Sequence, residues 1–260
     1  MSQYILQCIE LSTFLITYSL IILWYIYKKT FAPRQLAEPR SKNNNIVVSI
    51  EGSIGSGKST LLNRLRRSLI NDERYVFVDE PVGDWEMIKD SSGKTMVQKF
   101  YEDSKKYAFS FQIMAFMSRL RALKKALNEN TNRIIICERS LYTDKLVFAK
   151  MLYNDKMIED VNYQIYLDAF ADFSEDCPLH KIIYVNTQPS ICFDRIKKRS
   201  RVGEHAIPIG YLQSCHDYHE DMMKTMPIEK LVLDGDQDIF QSPKVLPNWI
   251  EDIRKYIDQP

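Results

Sequence analysis

Glycine is scarce in this chain, with eight in 260 residues, so each one invites an explanation. Three of the eight fall between positions 52 and 57. Cysteine is sparse and scattered. Cys8, Cys137, Cys177, Cys192 and Cys215 form no C-x-x-C pair, which argues against a structural zinc site or a disulfide framework and fits a reducing compartment. Charge imbalance is missing as well. The chain has 35 basic and 34 acidic residues and a net charge of +1, so nothing suggests bulk binding to nucleic acid. No arginine precedes Arg34, so the N-terminus lacks the pattern of a mitochondrial presequence. There is no internal repeat and no low-complexity block. What remains is a chain long enough to bury a full α/β core with an extra segment.

The clustered glycines sit in the stretch Ile46–Arg67, IVVSIEGSIGSGKSTLLNRLRR. An apolar β-branched run leads into a glycine-rich turn and then into an amphipathic basic helix. Gly52, Gly57, Lys58 and Ser59 fit G-x-x-x-x-G-K-[ST]. Glycines let the backbone of Gly52, Ser53, Ile54, Gly55, Ser56 and Gly57 curl, so that successive N–H groups converge on one point. The following helix aims its positive end there. Lys58 adds a point charge for the outer phosphates, Ser59 offers a hydroxyl to Mg²⁺, and Thr60 follows in the first helical turn. The expectation is a nucleoside triphosphate site. The loop does not say what receives the phosphate.

Leu11 to Tyr27 carries no charge and is rich in Leu, Ile, Tyr and Phe. Its length is at the short end for a membrane-spanning helix, and Trp24, Tyr25 and Tyr27 suit an interface. Lys28 and Lys29 follow it, which places the rest of the chain on the cytoplasmic side. Residues 1–29 are therefore expected to hold a membrane anchor. A buried or peripheral apolar helix is the plainer alternative, which leaves a soluble cytoplasmic or a mitochondrial location open. Thr30 to Asn45, with two prolines and three consecutive asparagines, reads as a linker. Residues 46–260 read as the catalytic domain.

From Ile46 onward, strands alternate with helices. Strands are expected at Ile46–Glu51, Tyr75–Asp79, Arg133–Glu138, Lys181–Asn186 and Leu231–Leu233. Helices are expected at Tyr107–Leu127, Leu141–Tyr153, Ile158–Phe173, Pro189–Lys198 and Ile209–Met223. Near-continuous apolar strands separated by helices mean a five-stranded parallel sheet covered on both faces, an α/β fold of the P-loop NTPase type.

Ligands bind at the carboxyl ends of such strands. The second strand ends in Asp79-Glu80-Pro81, where a carboxylate can take a proton from an acceptor hydroxyl or merely cap a loop. The third ends in Cys137-Glu138-Arg139-Ser140. There Glu138 can hold Mg²⁺ directly or through water, and Arg139 can bind the transferring phosphoryl group or the acceptor oxygen. Gln112 and Arg119 lie seven residues apart on one helical face with Ala115 between them, and a glutamine amide can form a two-pronged bond to a nucleobase edge. The run from Arg195 to Glu204 holds Arg195, Arg199 and Arg201. It is either a solvated helix face or a lid whose arginines fold over phosphates.

Taken together these residues resemble the cellular deoxynucleoside kinase family. The resemblance covers about Ile46 to the C-terminus and rests on I-E-G-x-I-x-x-G-K-S-T, E-P-V-x-x-W, F-Q-x-x-x-x-x-S-R, E-R-S-x-Y-x-D and R-x-x-x-R-x-R with a following glutamate. It implies ATP with Mg²⁺ as donor and a deoxynucleoside as acceptor. Glu80 then matches the general base, Arg139 the residue beside the 5′-hydroxyl and the phosphoryl group, and Glu138 the Mg²⁺-linked acid. Gln112 matches the base-reading glutamine, with Trp85, Phe111 and Phe148 as the apolar walls. Tyr101 and Glu204 match the pair that holds the 3′-hydroxyl. Arg195, Arg199 and Arg201 match the lid arginines, and Asp238 and Phe240 fall in the loop around the donor's base. Glu51 is expected in the donor cradle with Ser59. Arg119 and Asp144 stand where relatives that prefer deoxycytidine or purine deoxynucleosides carry an arginine and an aspartate, which implies that thymidine is a poor substrate. The resemblance also implies a homodimer through the long helices. Val202 and Gly203 depart from the more acidic lid of the relatives, and the N-terminal segment lies outside the family pattern.

Two other readings use the same loop. A nucleoside monophosphate kinase of the thymidylate type would need further cations for its acceptor's phosphate, and E-P-V-x-x-W with F-Q argues against it. A membrane-tethered P-loop NTPase acting through a partner would treat Glu80 and Gln112 as structural.

Overall fold

Apolar β-branched runs build the centre of the molecule. A computed structural model describes residues 43–199 and 207–259. Its strands are β1 (Ile46–Glu51), β2 (Tyr75–Val78), β3 (Ile134–Glu138), β4 (Lys181–Asn186) and β5 (Glu229–Asp234). They form one parallel sheet in the order β2-β3-β1-β4-β5. Pairing of Val48 with Ile136 and of Ile50 with Glu138 makes β1 and β3 end together.

Because side chains alternate along a strand, the sheet feeds two cores. Val47, Ile135, Cys137, Ile182 and Tyr184 turn to one face, and Val48, Ile50, Ile134, Ile136, Ile183 and Val185 to the other. Helices follow at α1 (Lys58–Ser68), α2 (Val82–Met87), α3 (Met96–Glu102), α4 (Ser104–Glu129), α5 (Leu141–Thr143), α6 (Lys150–Asn154), α7 (Asp160–Phe173), α8 (Pro189–Arg199), α9 (Ile209–Thr225) and α10 (Val245–Asp258). Leu61, Leu62 and Leu65 of α1, with Ile253 and Ile257 of α10, cover the second face. Each such buried side chain contributes about 1.5–3 kcal/mol. Phe116 of α4 packs on Tyr166 and Phe170 of α7 over the first face.

The structure departs from the sequence expectation in a few places. The helix expected at Leu141–Tyr153 is continuous but widens into a π-helical run, Asp144–Ala149, between α5 and α6. The wider turn buries Asp144, Val147, Phe148 and Ala149 together. Strand β5 is an edge strand whose mixed burial hides half its length from a pattern search. Helices α2, α3 and α10 were not expected.

Asn43 and Asn45, read as linker, belong to the fold. Asn45 Nδ2 donates to the carbonyls of Asn130 at 2.8 Å and Leu127 at 3.3 Å, and Asn43 Nδ2 to that of Leu127 at 3.0 Å. They satisfy carbonyls that the end of α4 leaves without helical partners. The hydrophobic segment Leu11–Tyr27, the linker up to residue 42 and the lid positions Arg201 and Glu204 lie outside the described residues. Among the described residues no helix is long and apolar enough to cross a membrane.

Candidate active site

The carboxyl ends of β1, β2 and β3 open into one cavity of about 610 Å³. Its floor is the glycine loop. Gly52 has φ +143°, and a Cβ there would lie 2.6 Å from the Val185 carbonyl oxygen, so only glycine lets the loop pass β4 this closely. Gly57, at φ +104°, supplies the left-handed turn that starts α1. Ile54, Gly55, Gly57, Lys58, Ser59 and Thr60 line the cavity. Gly52, Ser53 and Ser56 form the buried layer behind them.

Lys58 is buried, and its Nζ donates to the Ser53 carbonyl at 2.8 Å and lies 3.5 Å from Ser56 Oγ. Burial, helped by the charge of Arg139, lowers its pKa to about 8. Ser59 Oγ donates to Glu138 Oε1 at 2.8 Å, which brings the two expected Mg²⁺ ligands together at the cavity wall.

Glu80 stands between this cradle and the other half of the cavity. Its Oε1 accepts from Arg139 Nη1 at 2.8 Å and from Arg119 Nη2 at 3.1 Å. Burial alone would push the carboxyl up. Arg139, Arg119 and Lys58 outweigh it and bring the pKa to about 2. Arg139 sits at φ +64°, a left-handed conformation that costs a long side chain roughly 1–3 kcal/mol. Its N–H bonds the Ile50 carbonyl at 3.0 Å, and its guanidinium lies 5.2 Å from the Phe148 ring. Asp79, the other acid of the second strand's end, pairs outside with Arg66 at 2.7 Å. This resolves which carboxylate faces the site.

The other half is a slot with aromatic walls. Gln112, Ala115 and Arg119 line it from α4, Trp85 from α2, Tyr101 from α3, and Phe148 from the π-helical run. Trp85 meets Phe111 edge to face at 5.9 Å, and its indole N–H donates to Ser118 Oγ at 2.8 Å. Arg119 donates from Nε to Asp144 Oδ2 at 2.9 Å and from Nη1 to the Glu138 carbonyl at 2.9 Å. Asp144 does not line the cavity. It is fully buried behind Arg119 and acts on the slot through it.

Other expectations change here. Glu51 accepts from Ser140 N at 2.9 Å and from the Thr143 hydroxyl, so it pins the turn after β3 and is absent from the cavity lining. Arg195 lines the cavity but spends its guanidinium on three carbonyls: Gly235 at 2.9 Å, Ser56 at 3.2 Å and Gln237 at 3.3 Å. It ties the glycine loop to the loop after β5. Arg199, Asp238 and Phe240 line the outer cavity, and Asp238 Oδ1 accepts from Phe240 N at 2.8 Å.

Sequence reasoning missed Phe100, Tyr211 and Trp249 in the lining. Phe100 was findable. Thr95 and Gln98 form a capping box that starts α3, and Phe100 stacks on Phe111 at 4.6 Å.

A parallel α/β sheet with a glycine-loop cradle and a carboxylate-arginine cluster beside an aromatic slot defines a P-loop phosphotransferase. Comparison with known proteins narrows this. Residues 48–258 match the family model for deoxynucleoside kinases. A probable deoxycytidine kinase of fowlpox virus is 32% identical over 219 residues, covering 82% of this chain and 88% of its own. Deoxycytidine kinase 1 of Xenopus laevis is 31% identical, covering 81% and 89%. The mitochondrial deoxyguanosine kinase of the same species is 30% identical, covering 68% and 72%. The chain belongs to the deoxynucleoside kinase family and is an ATP-dependent enzyme of that kind.

Proposed function

We propose that this enzyme transfers the γ-phosphoryl group of ATP to the 5′-hydroxyl of deoxycytidine, purine deoxynucleosides or both, with thymidine a poor acceptor, in nucleotide salvage. The observation that carries the reading is the position of Glu80. Its carboxylate lies between the Lys58 cradle and the slot walled by Gln112 and Arg119, within bonding distance of both Arg139 and Arg119.

Glu80 takes the hydroxyl proton, and the oxygen attacks the γ-phosphorus as its bond to the bridging oxygen of ADP breaks. Arg139 stabilises the charge that builds between them. Gln112 reads the base, and Tyr101 with Glu204 holds the 3′-hydroxyl. The loop amides, Lys58, Arg199 and Arg201 hold the phosphates, while Asp238 and Phe240 flank the donor's base. Ser59 and Glu138 offer two hard oxygens 2.8 Å apart beside Lys58, a set that fits Mg²⁺ completing its shell with phosphates and water. Mg²⁺ bound with the triphosphate supplies charge neutralisation. The preference against thymidine is supported by Arg119, held in the slot wall by the buried Asp144, which sets a polar group where a thymine methyl would be met poorly.

Exposed apolar residues Met117 of α4 and Val161, Ile165 and Phe173 of α7 support a homodimer through those helices. The Leu11–Tyr27 segment supports a membrane anchor ahead of a catalytic domain that starts near Asn43. Light scattering and carbonate extraction of the full chain test these two readings.

The substrate reading is tested by a coupled ADP assay with ATP–Mg²⁺ and each deoxynucleoside in turn. Turnover that requires a nucleoside and ranks thymidine last is expected. Equal turnover of thymidine and deoxycytidine would overturn the pocket reading, and nucleoside-independent hydrolysis would overturn the acceptor reading.

A further inference from the structure

Arg119 makes one bond that lining a slot does not require. Its Nε and Nη1 donors go to Asp144 and to the Glu138 carbonyl, both fixed parts of the scaffold. These two bonds hold the guanidinium in the cavity wall, where its side chain is 6% exposed. Its third nitrogen, Nη2, donates to Glu80 Oε1, an oxygen that Arg139 already holds. The cations around Glu80 are Arg119 from α4, Arg139 from the end of β3 and Lys58 from α1, and the carboxylate of Asp144 in the π-helical run opposes it from behind Arg119. Of these, Arg119 is the one that shares a helical face with Gln112 and lies near the Trp85 ring, 6.0 Å from its centre. It therefore faces both the slot and the carboxylate.

We propose that Arg119 is shared between the nucleobase and Glu80: a base seated against Gln112 and Arg119 draws the Nη2 edge off Glu80, and the released carboxylate accepts the 5′-hydroxyl proton. The ligand class is a base edge with a carbonyl oxygen or ring nitrogen turned toward the guanidinium. The inference rests on the reading of the cavity as a deoxynucleoside site and deepens it, since recognition of the base then governs turnover as well as affinity. Compensation by two guanidinium groups makes Glu80 a weak base, as its lowered pKa indicates. Removing one of them strengthens it. The step itself balances: the hydroxyl proton moves to Glu80, the oxygen bonds the γ-phosphorus, ADP leaves, and the proton passes to water. Arg119 is a positioning residue here.

The test compares the full chain acting on deoxycytidine with its action on 1,2-dideoxyribofuranose, which keeps the hydroxyl and lacks the base, from about pH 5 to about pH 9. The base-less sugar is expected to turn over at least ~10²-fold more slowly at saturation, and free cytosine added in trans should restore part of that loss. Arg119→Met should raise kcat for the base-less sugar by about 10-fold, move its acid limb up toward that of the nucleoside, and lower kcat for deoxycytidine. Because Arg119→Met leaves Asp144 buried and unpaired, Arg119→Met with Asp144→Ala serves as the second variant, with folding checked by circular dichroism. The same fractional loss for both acceptors, with an unmoved acid limb and no effect of cytosine, would overturn the proposal. A wild-type chain that phosphorylates no deoxynucleoside would overturn the parent reading as well, so the two failures are distinguishable.

Discussion

Ser59 Oγ donates to Glu138 Oε1 across 2.8 Å, joining the first turn of α1 to the last residue of β3. The bond sets two hard oxygens side by side at the cavity wall, beside Lys58. Glu138→Gln keeps the volume and a hydrogen bond to Ser59 but removes the charge. The Mg²⁺ concentration for half-maximal activity is expected to rise by roughly 10- to 100-fold, with the nucleoside KM nearly unchanged. A magnesium titration at fixed ATP checks it. An unchanged requirement would remove Glu138 from the metal site.

Glu80→Gln removes the carboxylate that Arg119 and Arg139 share. Turnover with saturating nucleoside should fall at least ~10²-fold, the usual scale for a lost general base. Stability should fall too, because two buried guanidinium groups lose their counter-charge. The sign with pH is fixed. The Glu80 carboxyl is held at about 2 against an ordinary 4.5, so its contribution is complete above 4.5 and is lost as pH falls toward about 2. Urea unfolding of wild type and variant should therefore differ most near neutrality and converge in acid.

Gly52→Ala tests the loop itself. The added methyl would sit 2.6 Å from the Val185 carbonyl and 2.7 Å from Ser56 Oγ, at a φ of +143° that L-residues avoid. Backbone must shift, at a cost of about 1–3 kcal/mol. A lower melting temperature and a raised KM for ATP are expected together, with nucleoside affinity spared. A variant that melts with wild type and binds ATP normally would show that the loop tolerates a side chain there.

The strands were legible because a sheet covered on both faces favours near-continuous apolar runs rich in β-branched residues, and the loop was legible because phosphate binding constrains its spacing. The carboxylate at the second strand's end was not. Asp79 and Glu80 are neighbours of the same charge, and spacing cannot say that Asp79 turns out to Arg66 while Glu80 turns in to Arg139. Only the family resemblance chose between them. Arg195 was legible as a cation but not as a clamp, since its three acceptors are backbone carbonyls whose sequence carries no signature. Asn43 and Asn45 looked like linker because an asparagine run signals irregular backbone, and its use in closing the end of α4 depends on a contact more than eighty residues away in sequence.

His219 offers a stability test away from the reacting groups. Its ring is fully buried, stacked on Tyr184 at 6.3 Å and edge-on to Phe148 at 6.1 Å, with Nδ1 on the Cys215 carbonyl at 2.6 Å. Burial lowers its pKa from 6.5 to about 3, although the Cys215 carbonyl opposes the shift. Between those values the unfolded chain takes up a proton that the folded chain refuses, so stability falls as pH drops below 6.5, by up to about 1.4 kcal/mol per pH unit. Glu80's contribution stays constant through the window from 6.5 to 4.5 and is lost only below it, so the two effects separate. His219→Phe keeps a ring between Tyr184 and Phe148 but cannot be protonated. It should be the less stable protein near neutrality, having lost a buried hydrogen bond, and should lose less stability than wild type on acidification through that window. Urea unfolding at several pH values measures both. Parallel pH dependences would mean that His219 takes up its proton without unfolding.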